Sequence, residues 1–337
     1  MQTHGHGRGA YIFGCASTSL LQEERAFFKE TDPFGFILFS RNIESRLQLS
    51  ILCDDLRATV ASYAPIFIDQ EGGRVQRLRA PMVTEWPTPF DHVKLAGNKA
   101  KNVIFSRYAL IAQELRSFGI TVNCIPSADV ARPETHSFLR NRCFGSNAKV
   151  VAEMALAATN GLLYGGAIPV MKHIPGHGLA QVDSHESPPN TKASREILDE
   201  IDFLPFKKLN HLPMGMTAHV IYEAIDVLPG TISSKINDVI RSDLGFDGLL
   251  ISDDVSMKAL SGSICQRAST VIQAGCDVVL HCNGKLGEME QIAKGAGCLS
   301  GEGEIRAGKV INLHNQLADW EVDLSHLKAQ LGMTALS

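Results

Sequence analysis

Short apolar runs alternate with longer amphipathic segments along this chain of 337 residues, and the alternation restricts the possible folds more than any other feature. Eight runs are rich in Val, Ile and Phe. They occupy residues 10–15, 35–40, 65–69, 120–126, 167–173, 214–220, 248–253 and 277–282. Continuous apolar runs of this length are typical of strands buried on both faces, as in parallel sheets.

The segments between the runs have the apolar spacing of helices. Helices are predicted over 22–30, 44–63, 100–119, 147–166, 193–209, 233–245, 256–275 and 286–297. Ser233 and Gly245 have the positions of an N-cap and of a terminating glycine. Strands alternating with helices predict an α/β fold, specifically a (β/α)₈ TIM-type barrel. An open doubly wound sheet is the alternative, but no G-x-G-x-x-G follows the first strand.

The chain shows no internal repeat, low-complexity tract or linker that would divide it. We therefore expect one barrel domain over residues 1–337, with a core from about 10 to 300. The remaining residues, about 301–337, are predicted to form a C-terminal tail that is partly helical. The chain ends soon after the eighth strand and helix, which predicts a one-domain form.

Composition excludes several classes of partner. Hydrophobic residues make up 45% of the chain and charged residues 20%, and the net charge is −4. This balance gives no reason to expect nucleic acid or an anionic membrane as a partner. No apolar run approaches the ~20 residues that a membrane span needs, and the start lacks the apolar core of a signal peptide. The eight cysteines form no C-x-x-C pair, which favours buried reduced thiols and a cytoplasmic location.

Polar side chains collect where the predicted strands end. In a parallel barrel, catalytic groups lie at the C-terminal ends of the strands, whereas the N-terminal ends of these runs have little such chemistry. A salt-bridge network around the barrel mouth is the structural alternative. The residues concerned are Ser40, Arg41, Asn42, Asp69, Glu71, Arg74, Arg77, Lys172, His173, His219, Asp253, Asp254, His281 and Asn283.

One long loop after the fifth strand is dense in titratable groups. Its sequence "KHIPGHGLAQVDSHESPP" (172–189) has neither helical nor strand periodicity, and loops of about 20 residues in compact domains are usually functional. Asp183 and His185 have the spacing of a dyad in which the carboxylate orients the imidazole and raises its basicity. The alternative is a zinc site formed by His173, His177, Asp183 and His185, although the spacing matches no standard ligand pattern.

Asp253 follows a buried strand and has the chemistry of a nucleophile, because carboxylates form covalent glycosyl intermediates. The other role for an aspartate at this position is that of an N-cap for the segment "SMKAL", and Asp254 fits that role too. The alternation of side chains along the strand does not by itself show which of the two aspartates is the nucleophile.

Five motifs together resemble the family 3 glycoside hydrolases. They are "KHIPGHG" with "DSH" (172–185), "IDQEGGRVQRL" (68–78), "GFILFSRNI" (35–43), "RCFGS" (142–146) and "GFDGLLISDDVSMKAL" (245–260). The likeness extends from about residue 10 to about residue 300, in the order found in the family. The first motif pair is highly specific, whereas "SDD" and "QEGG" alone would be weak.

The resemblance implies roles for individual residues. Asp253 matches the nucleophile, His185 the general acid/base and Asp183 its dyad partner. A further set matches the residues that hold N-acetylglucosamine in the −1 subsite. That set comprises Asp69, Arg77, Arg142, Lys172 and His173.

The resemblance also implies an activity. Such enzymes release terminal β-linked N-acetylglucosamine with net retention, and the expected substrate has a 1,6-anhydro-N-acetylmuramic acid leaving group, with or without peptide, as in peptidoglycan recycling. No metal or other cofactor is expected. After "DSH" many relatives have an apolar residue and then Leu-Pro, whereas this chain has "ESPPN" (186–190), so loop packing is open. A metal-dependent barrel hydrolase, a non-catalytic amino-sugar-binding barrel and a phosphorylase remain as alternatives.

Overall fold

Nine strands form one parallel sheet that closes into a barrel. A computed structural model describes residues 7–179, 189–318 and 320–331. The strands in this part are β1 (Gly9–Gly14), β2 (Pro33–Leu38), β3 (Ile66–Ile68), β4 (Gln70–Gly72), β5 (Val75–Gln76), β6 (Val122–Asn123), β7 (Ile168–Pro169), β8 (Met171–Ile174), β9 (Asn190–Thr191), β10 (Met214–Thr217), β11 (Ile221–Tyr222), β12 (Leu249–Asp254) and β13 (Val278–His281).

The barrel closes through one interrupted strand. The strand order is β7-β6-β3-β2-β1-β13-β12-β10-β8, and every pair of neighbours is parallel. The two ends of this order, β7 and β8, are separated along the chain by Val170 alone. They therefore act as one staggered strand, which gives the eight strand positions of a (β/α)₈ barrel. Two small additional sheets, β4–β5 and β9–β11, lie outside the barrel wall.

Helices follow the barrel strands, as the sequence predicts. They are α1 (Gln22–Thr31), α2 (Arg46–Arg57), α3 (Pro89–Ala96), α4 (Ala100–Arg116), α5 (Ser137–Arg140), α6 (Ala148–Tyr164), α7 (Arg195–Ile197), α8 (Leu204–Lys208), α9 (Ser234–Asp238), α10 (Ile264–Gln273), α11 (Leu286–Ala296), α12 (Gly301–Ala318) and α13 (Ser325–Gln330). Two π-helical segments, Leu198–Asp202 and Val239–Asp243, continue α7 and α9. Among the described residues, no helix is both long and apolar enough to cross a membrane.

Alternate residues along each strand face two different layers of core. In β1, Ala10 and Ile12 belong to the cluster inside the barrel, whereas Tyr11 and Phe13 pack outwards against the helices. This period of two follows from strand geometry. It fixes which of the residues at the end of each strand point into the mouth of the barrel.

Helix α12 contributes to the inner core near the N-terminal ends of the strands. Ala307 and Val310 join the cluster inside the barrel. Arg306 forms ion pairs with Asp247, two residues before β12, and with Asp277, one residue before β13. The polar residues that follow the predicted strands, Asp69 and Asp253 among them, lie at the opposite end of the barrel.

All eight predicted strands and the predicted barrel are confirmed. Two predicted helices are too long. The helix predicted over 44–63 ends at Arg57, and the helix predicted over 256–275 begins only at Ile264. The preceding residues form turns in which Asp254 accepts hydrogen bonds from Ser256, so the aspartate caps a turn and not a helix. The N-cap at Ser233 is as predicted, since its side chain accepts a hydrogen bond from the N–H of Ile236.

Candidate active site

A cavity of about 410 Å³ opens at the C-terminal end of the barrel. Its floor is formed by inward-facing strand residues and its walls by the segments that follow the strands. Every second side chain of a strand faces the same side of the sheet. Asp69, two residues after Phe67, and Asp253, two residues after Ile251, therefore face the inside of the barrel. Residues that line the cavity include Phe39, Asp69, Arg74, Arg77, His136, Phe138, Arg142, Lys172, His173, His177, Asp253, Asp254, Met257 and Cys282.

A buried lysine joins two carboxylates at the base of this cavity. Lys172 Nζ lies 2.8 Å from Asp69 Oδ1 and 2.6 Å from Glu71 Oε1. Arg77 Nη2 donates to the other oxygen of Asp69 at 2.9 Å. Arg142 binds both oxygens of Glu71, with Nε at 2.9 Å and Nη2 at 2.7 Å. Such bidentate pairs fix the planes of the guanidinium and the carboxylate.

The network keeps its members charged in spite of their burial. Burial alone would raise the pKa of Asp69, but Lys172 and Arg77 outweigh it and hold that pKa below its ordinary value. Burial alone would lower the pKa of Lys172, but Asp69 and Glu71 outweigh it and hold the pKa above its ordinary value. The carboxylates and the cations of this network are therefore ionised near neutral pH. The cations present their N–H donors in fixed positions.

The hairpin β4–β5 that supplies this network is anchored from below by α4. Arg107, which is fully buried, donates to the carbonyls of Glu71 and Pro87, and the Tyr108 hydroxyl donates to the Glu71 carbonyl at 3.0 Å. A Cβ at Gly72, whose φ is +107°, would lie 1.8 Å from Arg107 Nη2. The backbone at Glu71 can pass so close to Arg107 only because glycine follows it.

A second carboxylate, Asp129, positions two histidines. Asp129 Oδ2 lies 2.7 Å from His173 Nδ1, and Oδ1 accepts the backbone N–H of His177 at 2.7 Å. Burial and the neighbouring His173 lower the pKa of His177 to about 4, so this imidazole is neutral at neutral pH. The Nδ1 atom of His177 is buried and has no hydrogen-bond partner within the described ranges.

Asp253 faces the cavity, whereas Asp254 is used to build the turn that follows. The backbone N–H of Asp254 donates to Asp253 Oδ1 at 2.8 Å. Asp254 Oδ1 accepts the N–H of Ser256 at 3.0 Å and that of Cys282 at 3.3 Å, and Oδ2 accepts the Ser256 hydroxyl at 2.7 Å. His219 Nε2 lies 3.1 Å from the Asp254 carbonyl, which can only accept.

The surroundings of Asp253 favour its ionised form. Burial alone would raise its pKa, but His219, His173 and the N–H of Asp254 outweigh it, so the pKa lies below its ordinary value. A carboxylate that stays charged at neutral pH is available as a nucleophile. Asp253 and Asp254 both line the cavity but differ in their contacts, since the Asp254 side chain is engaged by Ser256 and Cys282. The assignment of Asp253 as the nucleophile stays a prediction.

Six of the eight predicted site residues come together around this cavity. They are Asp69, Arg77, Arg142, Lys172, His173 and Asp253. The remaining two, Asp183 and His185, lie outside the described residues. Among the other residues noted after the strands, His281 does not line the cavity and binds Glu288 instead, with Nε2 to Oε2 at 3.0 Å.

Sequence reasoning missed Asp129 and the wall formed by α5. Asp129 follows the fourth predicted strand by three residues, so the rule that selected polar groups after strands would have found it if extended past Pro126. His136 and Phe138 lie in a connection that has no strand pattern, and no signal in the sequence pointed to them.

Metal binding was the alternative for the histidines of the long loop. In the part of the chain that the structure describes, no group of three or more His, Cys, Asp or Glu side chains could hold a metal ion. His173 is already oriented by Asp129. Two of the four residues in the predicted ligand set, Asp183 and His185, lie outside that part.

Sequence comparison assigns the chain to a class of enzyme. The model of the glycosyl hydrolase family 3 N-terminal domain matches residues 15–308, and the chain belongs to this family. A β-hexosaminidase from Alkalilimnicola ehrlichii is 37% identical over 283 residues, which cover 82% of this chain and 81% of the relative. A β-hexosaminidase from Nitrosomonas eutropha is 36% identical over 286 residues, with the same two coverages. The predicted family and the predicted class of enzyme, a glycosidase, are confirmed.

Solved structures agree with this assignment. NagZ from Neisseria gonorrhoeae in complex with N-trifluoroacetyl-D-glucosamine superposes with a TM-score of 0.86 at 28% identity, covering 98% of this chain and 99% of that one. A family 3 β-N-acetylglucosaminidase from Paenibacillus sp. gives a TM-score of 0.83 at 28% identity, covering 93% of this chain but only 62% of its own length.

Proposed function

We propose that this protein is a retaining exo-β-N-acetylglucosaminidase that acts on 1,6-anhydro-muropeptides in peptidoglycan recycling. The observation that carries the proposal is the position of Asp253, an ionised carboxylate at the end of β12 that shares one cavity with the Lys172, Arg77 and Arg142 cations. The relatives named β-hexosaminidase and the neighbour with a bound N-acetylglucosamine analogue support the sugar.

The cationic network fits recognition of a sugar ring. Arg77, Arg142 and Lys172 are each fixed by a carboxylate and border the cavity, where their remaining N–H groups can donate to sugar hydroxyls and to an acetamido carbonyl. Asp69 adds a carboxylate acceptor for a hydroxyl. The groups are held before substrate arrives, which reduces the entropy lost on binding.

Retention requires two displacements at the anomeric carbon. In the first, Asp253 attacks C1 and forms a glycosyl ester while an acid protonates the departing oxygen. In the second, the acid of the first step, now a base, takes a proton from water as the water attacks C1, and the ester bond between C1 and Asp253 breaks to regenerate the free carboxylate. We assign the acid/base role to His185, with Asp183 as its orienting partner, on the family motif "DSH". An imidazole in this role is cationic as the acid and neutral as the base, so it avoids the like-charge coupling with Asp253 that a second carboxylate would create.

The same proposal places the enzyme in the cytoplasm. All eight cysteines are free in the structure, and free thiols are usual in the reducing cytoplasm. Anhydro-muropeptides that are recycled inside the cell would meet the enzyme there.

Chemical rescue of a nucleophile variant tests the function. We expect Asp253→Ala to lower the release of 4-nitrophenol from 4-nitrophenyl β-N-acetylglucosaminide by at least about a thousandfold, with the thermal unfolding curve retained. Azide should restore turnover and give the α-glycosyl azide, because it enters the space of the missing carboxylate. His185→Ala should instead give the β-azide, since azide then attacks the glycosyl ester.

The matched control is Asp247→Ala, which removes an exposed aspartate at the opposite end of the barrel. It should hydrolyse the same substrate at close to the wild-type rate. Full activity in both Asp253→Ala and His185→Ala would refute the proposal.

A further inference from the structure

A buried histidine beside β12 has no part in the reaction as proposed. His219 follows the last residue of β10 by two positions and is fully buried. It is not among the described residues that line the cavity. Strand β10 pairs in parallel with β12, which ends in Asp253 and Asp254. The imidazole therefore lies against the end of the strand that presents the nucleophile, and not against the sugar.

The hydrogen bonds of His219 determine how its ring is oriented. Nε2 lies 3.1 Å from the Asp254 carbonyl, which can only accept, so Nε2 has a proton. Nδ1 lies 2.7 Å from Thr231 Oγ1. A flip of the ring would place one carbon atom against that hydroxyl and another against the carbonyl. Both bonds would then be lost inside the protein, which fixes the orientation observed.

The Thr231 hydroxyl can serve the ring in either of its charge states. Thr231 is fully buried in the 3₁₀ turn Gly230–Ile232, and its Oγ1 lies 2.7 Å from Thr217 Oγ1 and 3.2 Å from the Ala218 carbonyl. For a neutral ring, Thr231 donates to Nδ1 and can accept from Thr217. For a cationic ring, Thr231 accepts from Nδ1 and can donate to the Ala218 carbonyl. In both states the N–H at Nε2 still points at Asp254.

This hydrogen bond reaches the nucleophile through the backbone of Asp254. The N–H of Asp254 donates to Asp253 Oδ1 at 2.8 Å, while the carbonyl of Asp254 is the group that His219 binds. The two peptide groups on either side of the Asp254 Cα are thus both held. Burial raises the pKa of Asp253, and His219 is the strongest of the neighbouring groups that lower it.

We propose that His219 is a positioning residue that holds the Asp253 carboxylate, through the backbone of Asp254, in the orientation from which it attacks C1. The inference rests on the proposed function and deepens it, because it names a group that orients the nucleophile without touching the sugar. Thr231 has the supporting role of fixing the ring. Small displacements of a reacting group lower the rate by up to about a hundredfold, so loss of this support is measurable.

Two substitutions at His219 separate the hydrogen bond from the bulk of the ring. We expect His219→Leu, which has no donor, to lower kcat/KM for 4-nitrophenyl β-N-acetylglucosaminide about thirtyfold. The inhibition constant of N-acetylglucosamine should change less than twofold, because the sugar is bound by other groups. His219→Gln should stay within about fivefold of the wild-type kcat/KM, because its amide N–H can donate to the same carbonyl.

A pair of substitutions at Thr231 tests the ring orientation independently. Thr231→Val keeps the shape of the side chain but removes the hydroxyl, and we expect it to lower kcat/KM about tenfold with the inhibition constant of N-acetylglucosamine retained. Thr231→Ser keeps the hydroxyl and should stay within about twofold of the wild type. These variants decide the matter if His219→Leu does not fold.

His281→Leu is the matched control. His281 is also fully buried, lies on the neighbouring strand β13, and also has a hydrogen bond at Nε2, at 3.0 Å to Glu288. Its partner is not connected to Asp253 by a hydrogen bond in the described part of the chain. The substitution should lower the thermal unfolding midpoint as His219→Leu does, but should leave kcat/KM within about twofold of the wild type.

The outcomes are distinct. Equal losses of kcat/KM in His219→Leu and His219→Gln, or in Thr231→Val and Thr231→Ser, would overturn the role of His219, as would a loss of the same size in His281→Leu. In each of these cases the wild-type activity still supports the proposed function. Failure of the wild type to release 4-nitrophenol would refute the proposed function, and this inference with it.

Discussion

At the scale of single residues, the site depends on a close approach that only glycine permits. Gly72 lies between the backbone of Glu71 and the buried Arg107, whose guanidinium binds the Glu71 carbonyl. Glu71 in turn holds Arg142 and Lys172 at the base of the cavity. A change at Gly72 therefore reaches Arg142 and Lys172, which we propose bind the sugar, through two contacts.

We predict that Gly72→Ala lowers the free energy of unfolding by about 3 kcal/mol, because the new methyl overlaps Arg107 and the residue keeps a positive φ. Gly97→Ala is the control. It has a φ of +55° but nothing within 4 Å of a built Cβ, so only the backbone term of about 1 kcal/mol applies. Urea unfolding measures both, and equal losses would show that the contact with Arg107 is unimportant.

Asp202 is a buried carboxylate that the proposed reaction does not use. It ends the π-helical segment Leu198–Asp202 and lies against Gly176, at the base of the long loop. Its nearest cation is Arg132, at 3.6 Å, and neither carboxylate oxygen has a hydrogen-bond partner in the described part of the chain. Burial, with Asp129 nearby and Arg132 opposing, raises the pKa of Asp202 to about 7.

The raised pKa of Asp202 determines how the free energy of unfolding changes with pH. The folded protein holds the Asp202 proton more tightly than the unfolded chain does, so this group stabilises the fold least above pH 7 and most near pH 4. We predict that Asp202→Asn raises the free energy of unfolding by about 4 kcal/mol at pH 8 but by only about 1.5 kcal/mol at pH 5. Urea unfolding of both proteins at the two pH values provides the measurement. An effect of the same size at both would contradict the prediction.

At the scale of elements, the end of β12 is a rigid frame for one carboxylate. Asp254 binds Ser256 and Cys282 through its side chain, His219 through its carbonyl and Asp253 through its N–H. Under the proposed function it is a positioning residue, since it would act on the sugar through Asp253.

We expect Asp254→Asn to keep kcat within about threefold of the wild type, because the amide oxygen still accepts the two N–H groups. Asp254→Ala removes the frame and should lower kcat about a hundredfold with KM nearly unchanged, since the terminal sugar is bound elsewhere. Steady-state kinetics on the chromogenic substrate separate the two constants. Equal losses of kcat in both variants would assign the effect to charge and not to position.

The elements themselves were largely predictable where burial dictates the pattern. Continuous apolar runs located all eight barrel strands, because both faces of such a strand are covered. The hairpin β4–β5 was missed, because its short strands are polar and are held by side chains: the amide of Gln70 binds the backbone of Arg77 and Leu78. Hydrogen bonds between a side chain and the backbone leave no periodic pattern in the sequence.

At the scale of the whole molecule, the parallel barrel explains why distant motifs form one site. All strands end at the same mouth, so Asp69, Lys172 and Asp253 meet although up to 184 positions, from 69 to 253, separate them along the chain. The sequence could therefore predict which residues gather, but not their partners. Asp129 shows the limit, because its contact with His173 depends on a connection without pattern. The roles of all eight predicted site residues, and the single-domain organisation, remain predictions.

The most direct test of the account is to trap the covalent intermediate. A 5-fluoro β-N-acetylglucosaminyl fluoride should glycosylate the enzyme faster than the ester is hydrolysed, because the fluorine slows both displacements and the fluoride leaving group speeds only the first. Mass spectrometry of the digested protein should then find one added sugar, on Asp253. A label on another residue, or turnover of the fluoride without any label on the protein, would contradict the account.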